Sequence, residues 1–228
     1  MIAQPAQYLV FARYPEIHKV KTRLAAELGP ETALALYRAM LLDIVERLLN
    51  RSTVTVYVHP AEKLDEFTAF IHSELGHQTN LTFDVQQGDN LGDKMLNAFR
   101  AHGVRADNAA IIIGTDSPNL PDEFLEMAEG ELANNAAVIG GCEDGGFYLM
   151  GLHRAVEAAF FGAEYSHEDV YAQTLAALQH ELAAVVEIPL WYDVDYVSDL
   201  RRLHLDLNDD QSGGYTPKRT QTLLNGLF

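Results

Sequence analysis

Apolar and polar positions alternate along the chain in two patterns. Short apolar or β-branched runs are typical of buried strands, and longer segments with apolar residues every three or four positions are typical of helices. The predicted strands cover residues 7–13, 53–59, 81–86, 109–114, 136–140, 147–151 and 185–188. The predicted helices cover residues 30–50, 61–75, 91–102, a segment opened by Pro121, a segment around Val156, residues 170–182 and residues 218–227.

This order of elements predicts an α/β fold with a mainly parallel sheet. Strands that alternate with helices pair in parallel through right-handed crossovers, and the helices then cover both faces of the sheet. The 228 residues, 48% of them hydrophobic, suffice for one core. We therefore expect a single domain over residues 1–228. The turn Ser212-Gly213-Gly214 is predicted to separate a C-terminal extension, at about residues 212–228, from its body.

The composition excludes some classes of partner. With 16 Lys+Arg against 33 Asp+Glu, the formal charge is −17, which repels nucleic acid and anionic lipid. The single cysteine, Cys142, rules out an intrachain disulfide. The apolar run from Tyr8 to Ala12 is too short for a secretion signal or a membrane span. A cytoplasmic protein without a membrane span is the expectation.

In such sheets ligands bind outside the carboxyl ends of the strands, so site residues are expected in the loops that leave the strands. The first loop holds four of the sixteen basic residues, Arg13, Lys19, Lys21 and Arg23. Such a concentration in an acidic protein favours phosphate binding, since Lys provides a point charge and Arg a bidentate fork. A solvated loop whose cations pair with surface acids is the alternative.

The second loop, residues 86–95, is rich in turn-forming residues and leads into a predicted helix. Gly88 and Gly92 would allow close approach of a ligand to the backbone, and the free N–H groups of the helix start, next to Lys94, would favour an anion. An ordinary turn capped by Asn90 or Asp89 explains the same residues.

Acidic side chains dominate the later loops. Asp116 follows the most apolar strand, where a hard oxygen ligand could hold Mg²⁺ or Mn²⁺, unless it forms a turn before the next helix. Asp144 and Gly145 lie among four glycines, which favours a carboxylate beside a ligand over a tight hairpin. Asp193 and Asp195 lie on one side of an extended segment, and either could complete a metal site with Asp116 or cap the next helix.

Several catalytic motifs are missing. The sequence has no H-E-x-x-H, no G-x-S-x-G, no G-x-x-x-x-G-K-[ST] and no G-x-G-x-x-G after the first strand. These absences disfavour zinc proteases, serine hydrolases, P-loop kinases and dinucleotide oxidoreductases. Cys142 lies beside two acids, which should raise rather than lower the pKa of its thiol and argues against a nucleophile.

The loops together resemble the bacterial transferases of glycosyltransferase-A-like fold known as radical-SAM/selenodomain-associated transferases. The resemblance covers most of the chain. It is carried by Phe11-Ala12-Arg13 with Pro15, Val20 to Leu24, Gly88 to Met95 with Ala98-Phe99, Ile113 to Pro121, and Glu143 to Leu152. The family usually has Pro-Gly in place of Ile17-His18, so phosphate binding here is expected to depend on side chains. It tends to have Thr-Pro in place of Tyr196-Val197.

The resemblance implies a three-layer α/β/α fold of the glycosyltransferase-A-like, or nucleotide-diphospho-sugar transferase, type. By the same similarity Lys21 and Arg23 would hold donor phosphates, and Asp116 and Asp195 would bind Mg²⁺ or Mn²⁺. The loop from Gly88 to Met95 would contact the nucleoside.

The expected function is metal-dependent transfer from a nucleotide-activated donor, a nucleotide-diphospho-sugar in the first instance, to an unknown small acceptor. Asp144 would orient or deprotonate that acceptor. Nucleotidyl transfer with release of pyrophosphate is the first alternative, and a nucleotide-binding protein without catalysis is the second. The apolar C-terminal residues could pack on the body or on a second subunit, so a homodimer stays open.

Overall fold

The computed structural model describes residues 5–105, 107–134, 136–160, 169–209 and 215–228. The described strands are β1 (Gln7–Arg13), β2 (Val54–His59), β3 (Leu81–Val85), β4 (Ala110–Ile113), β5 (Ala137–Cys142), β6 (Phe147–Leu152) and β7 (Val185–Trp191). The described α-helices are α1 (Thr22–Leu28), α2 (Pro30–Leu49), α3 (Leu64–Leu75), α4 (Leu91–His102), α5 (Asp122–Ala133), α6 (Val170–Glu181), α7 (Val197–Leu207) and α8 (Lys218–Leu224). Short 3₁₀ turns lie at Ala61–Lys63 and Glu157–Ala159.

The strands form one seven-stranded sheet in the order β3-β2-β1-β4-β6-β5-β7. All neighbours pair in parallel except β6, which is antiparallel to both β4 and β5. The mainly parallel sheet predicted from the alternation is therefore confirmed. The antiparallel strand arises because β5 and β6 are joined directly by a short hairpin, which leaves no room for a crossover helix.

Helices cover both faces of the sheet, as the three-layer prediction requires. Successive β1 residues show this division, because Tyr8 and Val10 pack with α2, α3 and α5, whereas Leu9 packs with α4 and α6. Side chains of a strand point alternately to opposite faces, so a strand buried on both sides reads as a continuous apolar run. A third apolar cluster joins α1, α2, α7 and α8.

The C-terminal helix α8 packs on the body of the chain, which the sequence left undecided. Asp43 of α2, 1% exposed, accepts hydrogen bonds from Thr220 N and Thr220 Oγ1, both at 2.8 Å, and from Arg219 N at 3.2 Å. Leu224 is fully buried in the same contact. The predicted turn Ser212-Gly213-Gly214 lies outside the described residues, and the single-domain division stays a prediction.

Helix α1 was not predicted, because it lies in the segment read as a loop. None of the described helices combines the length and the apolar character that crossing a membrane requires.

Candidate functional site

A cavity of about 1020 Å³ opens at the carboxyl ends of β1 and β4, and it receives side chains from every loop that the sequence singled out. This is where the fold rule places ligands. The predicted site residues that line it are Arg13, Lys21, Arg23, Lys94, Asp116, Asp144 and Asp195. Its lining does not include Gly88, Gly92 or Gly145, which were also predicted to contact substrate.

Lys21 lies at the bottom of the basic loop, enclosed by oxygen atoms. Its side chain is only 4% exposed, and its Nζ contacts a carboxylate oxygen of Asp116, Oδ1 of Asp195 at 3.1 Å and the backbone oxygen of Val194 at 2.8 Å. Burial opposes its charge, but the two carboxylates outweigh burial and raise the pKa of Lys21 above its ordinary value. The ammonium therefore stays charged and joins two loops that are far apart in sequence.

Arg23 is the other basic residue that resemblance assigned to phosphate. It forms an ion pair with Asp195 at 2.6 Å and lies over the ring of Tyr196, 5.2 Å from its centroid. The charges of Lys21 and Arg23 are thus balanced by acids of the chain in this structure. Their assignment to phosphate stays a prediction, and a ligand would have to compete with these ion pairs.

Three other cations line the cavity without such a partner. Among the described residues, no carboxylate lies within ion-pair distance of Arg13, Lys19 or Lys94. His59 also lines the cavity, and its pKa is lowered by partial burial and then by the positive charges of Lys94 and Arg13. These cations therefore act on one common region, which is suited to an anion.

The loop that carries Lys19 keeps the backbone shape that a glycine would give it. His18, at the position where the resemblance leads us to expect glycine, has a φ of 65°. Lys21 has a φ of 45°. Residues other than glycine rarely adopt this left-handed backbone conformation, so both residues are strained in the loop.

A cluster of acidic groups faces the cations across the cavity. Asp193 accepts a hydrogen bond from Ser117 Oγ at 2.7 Å, and partial burial, followed by the charge of Asp116, raises its pKa to about 6. Burial, followed by the negative charges of Asp193, Asp144 and Asp116, raises the pKa of Cys142. The predicted direction for this thiol is confirmed, and Cys142 is unsuited to act as a nucleophile.

The acids suggest where a divalent cation would fit. One ligand atom each of Cys142, Asp144 and Asp193 lies within 4.8 Å of the others. Neither Asp144 nor Asp193 has a cationic partner among the described residues, whereas Lys21 already occupies the space between Asp116 and Asp195. Hard carboxylate oxygens suit Mg²⁺ or Mn²⁺, and the neutral thiol of Cys142 does not. Asp144 and Asp193 are therefore a second candidate pair for the metal, and the assignment to Asp116 and Asp195 stays a prediction.

The four glycines around Asp144 serve the hairpin and its packing. The turn is closed by Cys142 N donating to Gly146 O at 2.9 Å, and Gly145 has a φ of 91°. A side chain at Gly140 would collide with the ring of Tyr148. The alternative of a tight hairpin therefore explains the glycines, while the carboxylate of Asp144 faces the cavity as expected.

The second loop, residues 86–95, forms the ordinary capped turn that was the alternative to a ligand-binding backbone. Asn90 caps α4, accepting a hydrogen bond from Asp93 N at 2.9 Å. Gly88 has a φ of 143°, and a side chain there would meet the backbone of Lys94. Gly92 is buried in α4. Of this loop, the side chain of Lys94 is the predicted residue that reaches the cavity.

Neither Asp193 nor Asp195 caps the following helix. That role belongs to Asp199, whose Oδ2 accepts hydrogen bonds from Tyr196 N at 2.7 Å and Asp195 N at 3.0 Å. Both earlier carboxylates face the cavity instead, where Asp195 pairs with Lys21 and Arg23 and Asp193 accepts a hydrogen bond from Ser117.

Sequence reasoning missed several cavity residues, among them Tyr37, His59, Gln86 and Tyr196. His59 is the last residue of β2 and Gln86 directly follows β3, so the rule that sites form at carboxyl ends could have found them. No local pattern marks Tyr37, which lies inside a helix and reaches the site by donating a hydrogen bond to Arg13 O at 2.9 Å.

The model of a family described as "Uncharacterized protein conserved in bacteria (DUF2064)" matches residues 44–167. No curated protein is significantly similar to the chain in sequence.

Several solved structures share the fold. One is a protein from Desulfovibrio desulfuricans G20 with the provisional name nucleotide-diphospho-sugar transferase, which is 29% identical with a TM-score of 0.81 over 98% of each chain. The inositol-1-phosphate CTP transferase from T. maritima is 11% identical, with a TM-score of 0.53 over 98% of each chain. The 4-diphosphocytidyl-2C-methyl-D-erythritol synthase from Anaerococcus prevotii DSM 20548 is 10% identical, with a TM-score of 0.52 over 99% of each chain. These matches confirm the nucleotide-diphospho-sugar transferase-like fold.

Proposed function

The chain belongs to the DUF2064 family of uncharacterized bacterial proteins, and we propose that it is a transferase that takes its transferred group from a nucleotide-activated donor. The donor that we favour is a nucleotide-diphospho-sugar. The acceptor is a small molecule that enters the same cavity.

One observation carries this proposal. Arg13, Lys19 and Lys94 face a common cavity without a carboxylate partner among the described residues, in a protein whose formal charge is −17. Cations of an acidic protein normally pair with its abundant acids, and here twice as many acids as cations are available. Unpaired cations around a cavity are complementary to a compact anion such as a diphosphate.

The comparisons support the same class of activity. The Desulfovibrio protein, 29% identical over 98% of each chain, carries the name of a nucleotide-diphospho-sugar transferase. The Anaerococcus synthase and the T. maritima CTP transferase, at 10% and 11% identity, support the fold alone. The position of the cavity, at the carboxyl ends of the strands, agrees with nucleotide sites in open α/β sheets.

We assign the donor phosphates to Arg13, Lys19 and Lys94. A bound Mg²⁺ or Mn²⁺, held by Asp144 and Asp193, would supply charge neutralisation for the leaving phosphate. The fixed cation of Lys21 contributes to the same electrostatic field without having to move.

The assignment of Asp144 to the metal competes with its predicted role in orienting or deprotonating the acceptor. A carboxylate bound to a divalent cation is a poor base, so the two roles predict different behaviour for Asp144→Asn. If Asp144 is a metal ligand, the variant should lose both turnover and the metal-dependent thermal shift. Loss of turnover with an unchanged metal-dependent shift would return Asp144 to the role of the base.

Nucleotidyl transfer is the second candidate, favoured by the number of unpaired cations. Three such side chains can match the larger charge of a nucleoside triphosphate as well as that of a diphosphate. Products separate the two reactions, because sugar transfer releases a nucleoside diphosphate and nucleotidyl transfer releases pyrophosphate.

The test is a thermal-shift and calorimetric titration of the protein with nucleotide-diphospho-sugars and nucleoside triphosphates, each with and without Mg²⁺ or Mn²⁺. At one hundred times its Kd, a ligand stabilises the folded protein by about 2.7 kcal/mol, which raises Tm by roughly 5–10 °C for this chain length. Lys94→Ala should weaken binding about tenfold, the loss of one charge-assisted contact. Lys218→Ala, the removal of an exposed lysine outside the cavity, is the matched control and should leave Kd unchanged.

Failure to bind any of these nucleotides would refute the proposal. Binding without product formation, across a panel of acceptors, would favour a nucleotide-binding protein without catalysis.

A further inference from the structure

His59 is the last residue of β2, and the strand register pairs it with Arg13, the last residue of β1. Register partners on neighbouring strands point to the same face of a sheet. The pair two residues earlier, Phe11 and Tyr57, shows this, because the two rings stack with 5.5 Å between their centroids. The imidazole of His59 and the guanidinium of Arg13 therefore leave the sheet on the same face, and both residues line the cavity.

Helix α4 covers this face of the sheet and brings a second cation to the same place. Met95 of α4 packs in one apolar cluster with Tyr57 of β2. Lys94, the residue before Met95, lines the cavity. His59 thus shares one end of the cavity with Arg13 and Lys94, two of the cations without a carboxylate partner among the described residues.

The imidazole of His59 is open to a ligand. In the described part of the chain, neither of its ring nitrogens has a hydrogen-bond or ion-pair partner, and neither is among the buried unpaired polar atoms. One nitrogen of a neutral imidazole carries a hydrogen and the other can accept a proton. Both are therefore available to an anion that enters between Arg13 and Lys94.

The charged groups around His59 come from each neighbouring element. Arg13 lies on β1, Lys94 on α4 and Glu62 on the 3₁₀ turn that follows β2. Asp84, the only charged residue of β3, is paired two residues earlier in the register of β2. Partial burial, followed by the positive charges of Lys94 and Arg13, lowers the pKa of His59 and outweighs Glu62. The imidazole is thus largely uncharged at pH 7 in the free protein.

We infer that His59 binds the diphosphate of the donor and takes up one proton from solvent as the diphosphate enters. This inference rests on the proposed function. Phosphate oxygens only accept hydrogen bonds, so an N–H of the ring is the group that they can bind. The proton from solvent joins the free ring nitrogen, and the resulting imidazolium donates to a phosphate oxygen. No covalent bond of the donor changes in this step.

The driving force is the change in charge around the ring. In the free protein two cations oppose protonation of His59, whereas the bound diphosphate offsets both of them and favours the imidazolium. The pKa of His59 is therefore higher in the complex than in the free protein, and binding must tighten as the pH falls through this range. A difference of about one pKa unit corresponds to roughly tenfold tighter binding below the titration than above it.

Calorimetry measures the proton directly. UDP-glucose, ADP-glucose, GDP-mannose and CDP-glucose are screened in saturating Mg²⁺, and the donor that binds most tightly is titrated in two phosphate-free buffers of different ionisation enthalpy. Both phosphates of these donors are diesters that stay ionised between about pH 5.5 and 8, so the ligand itself supplies no proton. We expect uptake of a fraction of one proton per chain near pH 7 and a Kd that weakens roughly tenfold over the same pH range.

Two variants assign the proton to a residue. His59→Gln keeps an N–H donor of similar reach but cannot titrate, so it should lose the uptake, match the wild-type Kd within about threefold at pH 8 and bind roughly tenfold more weakly at pH 5.5. Asp193 titrates in the same range in both proteins, so only the difference between them is assigned to His59. His180→Gln, which removes a histidine with an 85% exposed side chain outside the cavity, should keep the wild-type uptake. Should His59→Gln fail to fold, His59→Asn replaces it with the same expectation.

The outcomes separate this inference from the proposed function. Binding of a donor without proton uptake, or an uptake that the His59 variants retain, would overturn the role of His59 while leaving nucleotide binding in place. No binding of any of the four donors at any pH would overturn the proposed donor as well.

Discussion

Replacing Asp193 by Asn should stabilise the protein at pH 7.5 and flatten its pH dependence in mild acid. Asp193 is partly buried close to the negative charge of Asp116, and these two causes raise its pKa to about 6 from an ordinary value of 3.8. An amide has no charge to desolvate or to repel Asp116. Its oxygen can still accept the hydrogen bond from Ser117 Oγ, now 2.7 Å away.

The size of the effect follows from linkage between proton binding and folding. The folded protein binds the proton on Asp193 more tightly than the unfolded chain does. The ionised group therefore lowers the free energy of unfolding, and this cost is complete once the pH is well above 6. That cost declines as the pH falls through 6 towards 3.8. Two pKa units correspond to about 3 kcal/mol, and partial solvent access reduces the expected gain in Asp193→Asn to about 1–2 kcal/mol at pH 7.5.

Urea unfolding of both proteins at pH 7.5 and pH 5.0, in buffer with a chelator so that no metal binds, measures this gain. An unchanged m-value would show that the unfolded ensemble is the same. Glu74→Gln, which removes an exposed carboxylate outside the cavity, is the control and should shift stability by less than about 0.5 kcal/mol. A less stable Asp193→Asn at pH 7.5, or a pH dependence parallel to that of the wild type, would refute the reasoning.

Three further predictions concern other parts of the site and its scaffold. Lys21→Met leaves two carboxylates without their ammonium partner. The free energy of unfolding in metal-free urea should therefore fall by about 1–3 kcal/mol, and calorimetry should show one additional Mn²⁺ bound per chain. An unchanged Mn²⁺ stoichiometry would contradict this. Gly140→Ala should cost about 2–4 kcal/mol, since the new methyl group collides with the ring of Tyr148; a wild-type urea midpoint would contradict it. His18→Gly should raise stability by about 1 kcal/mol by relieving a φ of 65°, and an unchanged or lower Tm would count against strain in this loop.

Much of the fold was predictable from the sequence because its signals are local. The predicted strand at residues 7–13 and the predicted helix at 91–102 coincide with β1 and α4, and most other elements agree within one to three residues. Apolar periodicity, turn residues and caps act between neighbours in the chain, so they can be read without knowing the tertiary structure. The same holds for the rule that gathers the loops at the carboxyl ends of the strands, which brought Asp116 and Asp144 to one cavity.

The extra helix α1 and the place of β6 between β4 and β5 were not predictable in this way, because both depend on packing against elements distant in sequence. The antiparallel direction of β6 has a local cause, the short hairpin that joins it to β5.

What the sequence determined by itself is therefore which residues carry charge and at which edge of the sheet they gather. The tertiary structure alone decided which of those charges form ion pairs with one another. Lys21 meets Asp195 from 174 positions away, and its charge is balanced there, whereas Lys94 meets no carboxylate among the described residues and is available to the proposed donor phosphate. Electrostatic energy depends on separation in space, and a few ångströms settled by packing separate a structural ion pair from a binding site.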